Sequence, residues 1–193
     1  MNRCAWCETD ALLRTYHDEE WGLPIHDDRK HFEFLVLEVS QSGLSWLTVL
    51  RKRENYRAAF DGFDPEKVAA YNAEKVQVLM QNPGIIRNQR KIEAAILNAG
   101  LFLEIQREFG SFDQYLWAFV DGQPVIHHYE SWMEIPAITP LSDQVSKDLK
   151  SRGFKFLGST VIYAHLQAAG IVDDHEDACF RKPIYAPKEG AIK

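Results

Sequence analysis

The stretch from Phe32 to Trp46 constrains this chain more than any other. It begins as an apolar helical run, Phe-Glu-Phe-Leu-Val-Leu-Glu-Val-Ser-Gln, with one carboxylate, Glu38, set deep within it. An acid in such a run is costly unless it reaches water or something binds it. The polar, glycine-broken segment Gln41-Ser42-Gly43 follows, and then Trp46. Glycine lets the backbone come close to a ligand. Two readings compete here. In one, a core helix lets Glu38 find the solvent edge. In the other, the acid lies in a pocket and meets a ligand.

The length of 193 residues fits a single domain, 1–193. A hydrophobic fraction of 46% is ample for one core. No apolar run is long enough to span a membrane. The opening Met-Asn-Arg-Cys-Ala-Trp-Cys-Glu holds no apolar signal region, so a cytoplasmic protein is expected. Three cysteines, an odd number, point to free thiols or metal ligands rather than a disulfide framework. The net charge of −6 disfavours a uniformly basic nucleic-acid binder. The charge is uneven, however. Basic clusters at 51–57, 87–91 and 147–155 leave room for a local basic face on an acidic body, or for ordinary solvated helix faces.

Helix signals run the length of the chain. Asp10 opens a short helix over 10–20, and Asp27 or Asp28 caps the helix that runs to about Gln41. A further helix spans Leu44 to about Phe60. Asp64-Pro65 caps and starts the next, followed by 73–81, 88–108 and 111–120. Residues 121–140 read as loop, with only a hint of strand at 123–127, too little for a sheet. Ser142 caps a helix to about Ser151, and a last helix runs from Ser159 or Thr160 to Ala169, ended by Gly170. The fold class is therefore all-α, with about eight to ten helices.

Two features suggest chemistry. Cys4 and His17 lie near one end, and His175-x3-Cys179 near the other. Two thiolates and two imidazoles suit one structural zinc ion, which would tie 1–28 to 171–193 as one lobe. Cys7 remains a rival ligand through the pair Cys4-x2-Cys7. His26, His31, His127, His128 and His165 read as surface or ordinary core histidines. The second feature is the hairpin at about 142–169, two helices joined by a turn bounded by Gly153 and Gly158. Lys150, Arg152 and Lys155 surround a helix N-terminus there, a suitable cradle for a phosphodiester. An ordinary helical corner is the competing reading.

These residues resemble the DNA-3-methyladenine glycosylase I family. The similarity rests on Arg3-Cys4-x-Trp6, Tyr16-His17-Asp18-x-Glu20-Trp21-Gly22, Leu37-Glu38 and Gln41-x-Gly43-Leu44-Ser45-Trp46. It continues through Leu50-x-Lys52-Arg53-Glu54-Asn55-Tyr56-Arg57, Phe63-Asp64-Pro65, Gly84-Ile85-Ile86-Arg87, Arg152-Gly153-Phe154-Lys155-Phe156-x-Gly158 and Asp174-His175-x3-Cys179. The resemblance implies a helix-hairpin-helix glycosylase fold with one structural zinc on Cys4, His17, His175 and Cys179. It implies a base pocket of Tyr16, Trp21, Glu38 and Trp46, with Glu38 as the catalytic carboxylate. Gln41, Gly43 and Leu44 would sit near the gap left by a flipped nucleotide. Gly153, Lys155 and Gly158 would anchor DNA phosphate. The implied activity is release of 3-methyladenine from alkylated double-stranded DNA; no lysine is identifiable for a Schiff base, so no strand cleavage is expected, and a monomer is the simplest expectation.

Some positions depart from the pattern: Leu13 where a pocket tyrosine occurs in some members, Ser40 and Ser42 near the wedge, and an extra acid, Asp173, before His175. A zinc-stabilised DNA-binding module without catalysis is the alternative; it leaves Glu38 unexplained. A zinc deaminase fits poorly, because its Cys-x2-Cys should follow the His-x-Glu element and here precedes it.

Overall fold

The computed structural model describes residues 1–41 and 43–182. Ser42 and the tail 183–193, the end of the expected zinc-tied lobe, lie outside the described residues. Among the described residues the chain is mostly helical. Helices α1 (Ala11–Glu19), α2 (Asp28–Gln41), α3 (Trp46–Ala59), α4 (Pro65–Ala69), α5 (Ala73–Gln81) and α6 (Gln89–Phe109) come first. They are followed by α7 (Phe112–Trp117), α8 (Pro140–Ser151) and α9 (Ser159–Ala168). No described helix is long and apolar enough to cross a membrane.

Local chemistry sets most boundaries. The Asp10 side chain accepts from Leu12 N and caps α1. Asp27 accepts from Lys30 N at the start of α2. Asp64 caps α4 ahead of Pro65 at its first position. Helix α3 begins at Trp46 rather than Leu44, because Ser45 is the capping residue. Helix α8 begins at Pro140, earlier than a Ser142 cap requires. Thr139 is the cap, and Ser142 closes the reciprocal capping box from inside the first turn. A proline that reads as loop is here the first helical residue, where its missing N–H costs nothing. The weak strand signal is real but minimal. Val125–Ile126 (β1) pairs in parallel with Val172–Asp173 (β2), a ladder two residues long.

Helix α2 is the centre of the molecule. Every residue from His31 to Ser40 is buried, and α2 packs against α3, α6, α7 and α9. A helix apolar on all faces is stable only when surrounded. Phe32 and Phe112 both pack on Phe102 of α6, with centroids 5.3 and 4.2 Å away. Burying each such ring contributes about 1.5–3 kcal/mol.

The basic cluster at 51–57 does not form an open basic face. Arg53 donates to Glu33 at 2.8 Å and to both oxygens of Glu20 at 2.6 and 2.7 Å. Arg57 reaches the same Glu33 oxygen at 2.7 Å, and Arg51 pairs with Asp10 at 2.8 Å. Glu33 is buried on α2, so its charge requires these partners.

The chain from Trp21 to Ile25 docks on the end of α9. Gly22 N donates to Gln167 O and Ile25 N to Ala169 O. Gly170 permits this contact. Its φ is +65°, and a Cβ there would lie 2.4 Å from Leu23 C and Pro24 N. Gly170→Ala therefore combines backbone strain with a clash against main chain. We predict a loss of about 2 kcal/mol or more in urea unfolding; a change under about 0.5 kcal/mol would show that the 21–25 segment moves aside freely.

Candidate active site

A cavity of about 580 Å³ opens between α1, the α2–α3 junction, α9 and the loop after β1. Tyr16, Trp21, Glu38, Gln41 and Trp46 line it, together with Leu13. The sequence-selected pocket residues are thus brought together from three separate segments. The rings of Tyr16 and Trp46 lie 5.5 Å apart and tilted. Leu13 contributes an aliphatic part of the wall.

Glu38 is only 3% exposed, and its Oε2 has no hydrogen-bond partner. Burial pushes its carboxyl well above the ordinary carboxylate range. The indole Nε1 of Trp46 is likewise buried without a partner. An acceptor and a donor left unpaired in one aromatic pocket are the mark of a site completed by a ligand.

Gly43 and Leu44 are not in the lining. Both are exposed just beyond Gln41, where the chain turns from α2 into α3, and Gly43 takes a φ of +82°. Asp173 does not reach the pocket either. Its Oδ1 accepts from His175 N, and it pairs with Lys182 at 3.8 Å. Sequence reasoning missed Trp6, Trp132, Met133 and Gln167, which also line the cavity. Trp132 and Met133 sit in a short 3-10 turn whose Trp132 N donates to Glu176. Their one signal is a pair of large apolar residues in a proline-rich loop.

Behind Trp21 the two ends of the chain meet. Cys4, His17, His175 and Cys179 are all buried, with one donor atom from each lying within 4.8 Å of the others. Cys179 Sγ lies 3.4 Å from His17 Nε2 and 3.7 Å from His175 Nδ1, and Cys4 Sγ lies 3.5 Å from His175 Nδ1. With zinc bonds of about 2.3 Å to sulfur and 2.0 Å to nitrogen, a tetrahedral edge is about 3.5 Å, so the donor set fits that ion. His17 Nδ1 lies 2.9 Å from Asp18 Oδ1, the kind of contact that fixes a ligand's tautomer. Cys7 is outside the cluster; its thiol donates to Cys4 O. The Trp21 ring packs edge-on to His175 at 4.5 Å, so the cluster backs directly on the pocket wall.

Helices α8 and α9 form the expected hairpin. Gly153 has a φ of +102°, while Gly158 is in ordinary extended backbone before α9. Asn98 of α6, another residue missed in sequence, clamps the turn. It accepts from Lys155 N at 2.8 Å and donates to Lys155 O at 2.9 Å. The Lys155 side chain is exposed. Arg152 is not offered to a ligand, since it pairs with Asp148 at 2.8 Å and Glu108 at 2.6 Å.

Comparison with known proteins agrees with this geometry. A family model described as methyladenine glycosylase matches residues 6–182. DNA-3-methyladenine glycosylase 1 of Escherichia coli (strain K12) is 49% identical over 187 residues, covering 97% of this chain and all of the relative. DNA-3-methyladenine glycosylase of Haemophilus influenzae is 43% identical, covering 92% of this chain and 96% of the relative. Among solved structures, a tyrosine-to-phenylalanine variant of 3-methyladenine DNA glycosylase I in complex with 3-methyladenine superposes with a TM-score of 0.92. It is 40% identical and covers 96% of this chain and 100% of that one. The chain belongs to the methyladenine glycosylase family.

Proposed function

We propose that this glycosylase flips an alkylated nucleotide out of duplex DNA and hydrolytically releases 3-methyladenine, leaving the strand uncut. One observation carries the reading: a buried, unpaired carboxyl, Glu38, in a cavity lined by aromatic side chains. A base inside a duplex cannot be reached, so it must leave the stack. Alkylation at N3 makes adenine cationic and weakens its bond to the sugar. The base then departs neutral and needs no general acid.

The pocket's task is to recognise and hold. Tyr16 and Trp46 present aromatic faces, each worth about 0.5–2 kcal/mol to a cation. Ionised Glu38 offers acceptor oxygens to the exocyclic amine and favours a positive base over a neutral one. Trp21 closes the wall. Water is the nucleophile, because among the described residues no lysine lines the pocket to form a Schiff base. Gln41, Gly43 and Leu44 stand at the rim, where the extruded nucleotide leaves a gap. The α8–α9 turn is then a helix-hairpin-helix anchor, with Gly153, Lys155 and Gly158 at the phosphate and the first N–H groups of α9 facing it.

Zinc on Cys4, His17, His175 and Cys179 is structural in this reading. Four protein donors leave no open position for a reacting water. That also argues against a zinc hydrolase of the deaminase type. The ion's contribution is to hold α1, with Tyr16, against the C-terminal segment.

Glu38→Gln is expected to lower kcat/KM for 3-methyladenine release from alkylated DNA by about 10–100-fold, equivalent to the ~1.5–3 kcal/mol of a charged hydrogen bond. Zinc content and thermal midpoint should not fall. Undiminished release would remove Glu38 from the site.

Metal analysis of the purified chain should give one zinc per molecule. Cys179→Ser should abolish it and lower stability by several kcal/mol. A metal-free wild type of equal stability would defeat the zinc assignment.

A further inference from the structure

Behind Glu38 lies a line of buried titratable groups that base recognition does not use. Glu38 Oε2 is 3.5 Å from His165 Nδ1 on α9, a contact without hydrogen-bond alignment, and neither atom has a hydrogen-bond partner. The other nitrogen of His165, Nε2, is 3.2 Å from His31 Nδ1 on α2. His31 Nε2 is 3.2 Å from Asp113 Oδ1 on α7. Asp113 is partly exposed and also meets the exposed His26 at 3.2 Å. His31 and His165 are almost wholly buried. Four groups therefore line up from the pocket to the surface, hydrogen-bonded from His165 outward and 3.5 Å apart at the Glu38 step. Nothing in the spacing of these residues hints at it, and both inner histidines read as ordinary core residues.

The path has a direction that hydrogen-bond chemistry imposes. A carboxylate accepts, so Asp113 takes the Nε2–H of His31. Neutral His31 then has a lone pair on Nδ1 and accepts the Nε2–H of His165. Neutral His165 then keeps its lone pair on Nδ1, on the side of Glu38, and only a protonated Glu38 can donate to it. Each group's environment agrees with these forms. Burial lowers His165 to about 3 and lowers His31 as well, despite Asp113. Burial raises Glu38, and at Asp113 the two histidines outweigh burial and keep the carboxylate below its usual range. The other ionisable groups nearby are Tyr16 of α1 facing Glu38 and Asp28 facing His31. Asp28 is engaged by Phe112 N, Asp113 N and Gln106.

We propose that His165, backed by His31 and Asp113, is a positioning residue for Glu38 and part of a proton relay that sets its charge in the base pocket. This rests on the reading of Glu38 as the base contact. In the empty pocket Glu38 is a neutral acid beside His165, and a small rotation of either side chain closes the 3.5 Å gap to a hydrogen bond. When a cationic base enters, the Oε2–H bond of Glu38 breaks and an Nδ1–H bond forms on His165. His165 passes its Nε2 proton to His31 Nδ1, and His31 passes its Nε2 proton to Asp113 Oδ1. One proton moves at each step and no electrons are exchanged. The net result is one negative charge moved from Asp113 to Glu38. Asp113 exchanges its proton with solvent beside His26. The return of the proton to Glu38 then favours exit of the neutral product.

The test is the pH profile of kcat/KM for release of 3-methyladenine from alkylated DNA, whose lesion carries a permanent charge and does not itself titrate. Asp113→Asn keeps an acceptor for His31 but cannot take the proton, so Glu38 ionises less readily. The acid limb should move up by about one pH unit or more, with the alkaline plateau retained, and Asp113→Glu should restore it. An unchanged limb, or a uniform loss at every pH, would overturn the relay. Nitrogen-15 shifts of the histidine rings give a second readout. Nε2–H tautomers are expected for His31 and His165 in the free protein, and a proton on His165 Nδ1 there would overturn the proposal. Glu38→Gln separates the two ideas. A fully active Glu38→Gln sinks the base-contact reading itself, whereas an impaired one with an unmoved Asp113→Asn limb sinks the relay alone.

Discussion

A carboxyl buried without a permanent partner is the constraint on which this structure turns. Glu38 sits in the middle of α2, a helix enclosed by α3, α6, α7 and α9. Ionised and unpaired, it would cost several kcal/mol. The surroundings admit three remedies: a proton, a histidine at 3.5 Å, or a ligand in the cavity. Glu33, five residues earlier on the same helix, is equally buried but permanently paired to Arg53 and Arg57. Two acids on one helix thus have opposite fates. One is fixed in an ion network that docks α3, and the other is left for the pocket. A paired Glu38 would make a sturdier core and leave no free carboxyl oxygen at the cavity.

Keeping such a pocket open requires walls held from outside. The buried cluster of Cys4, His17, His175 and Cys179 brings residues 4 and 17 against 175 and 179. Trp21 lies between this cluster and the cavity, touching His175 on one side. The C-terminal segment is fastened further through Asp174, which accepts from Tyr163 at 2.5 Å and Gln167 at 2.6 Å. Gln167 also lines the pocket and, through its carbonyl, holds Gly22. The aromatic wall therefore depends on contacts that are remote in sequence and adjacent in space.

What could be read from the sequence follows the range of the interactions involved. Caps act over two or three residues, so Asp10, Asp64-Pro65 and Gly170 marked their helices. Thr139 was hidden because Pro140 signals loop and helix start alike. The grouping of Cys4, His17, His175 and Cys179 was legible as a set of residue types, but leaving Cys7 out of it needed geometry. The gathering of Tyr16, Trp21, Glu38 and Trp46 around one cavity came from family likeness, since the break at Gly43 removes any helical phase linking Glu38 to Trp46. The basic run at 51–57 left a basic face and ordinary helix faces both open, because the partners of Arg53, Glu33 and Glu20, lie 20 and 33 residues upstream. His31 and His165 stand 134 positions apart, and no spacing rule joins them. Trp132 and Met133 belong to a loop whose course is set by Glu176 near the other end of the chain.

The central claim is that this pocket selects positive charge on the base. Its most direct test is the affinity of the pocket for two small ligands that differ in charge, followed by the fluorescence of the pocket tryptophans. The 3,9-dimethyladeninium ion carries the charge of the lesion, with a methyl group in place of the sugar, while 9-methyladenine is neutral. Two aromatic faces and one carboxylate predict at least about tenfold tighter binding of the cation, or ~1.4 kcal/mol. Equal affinities would mean that shape alone fills the pocket, and would contradict a charge-selecting role for Glu38.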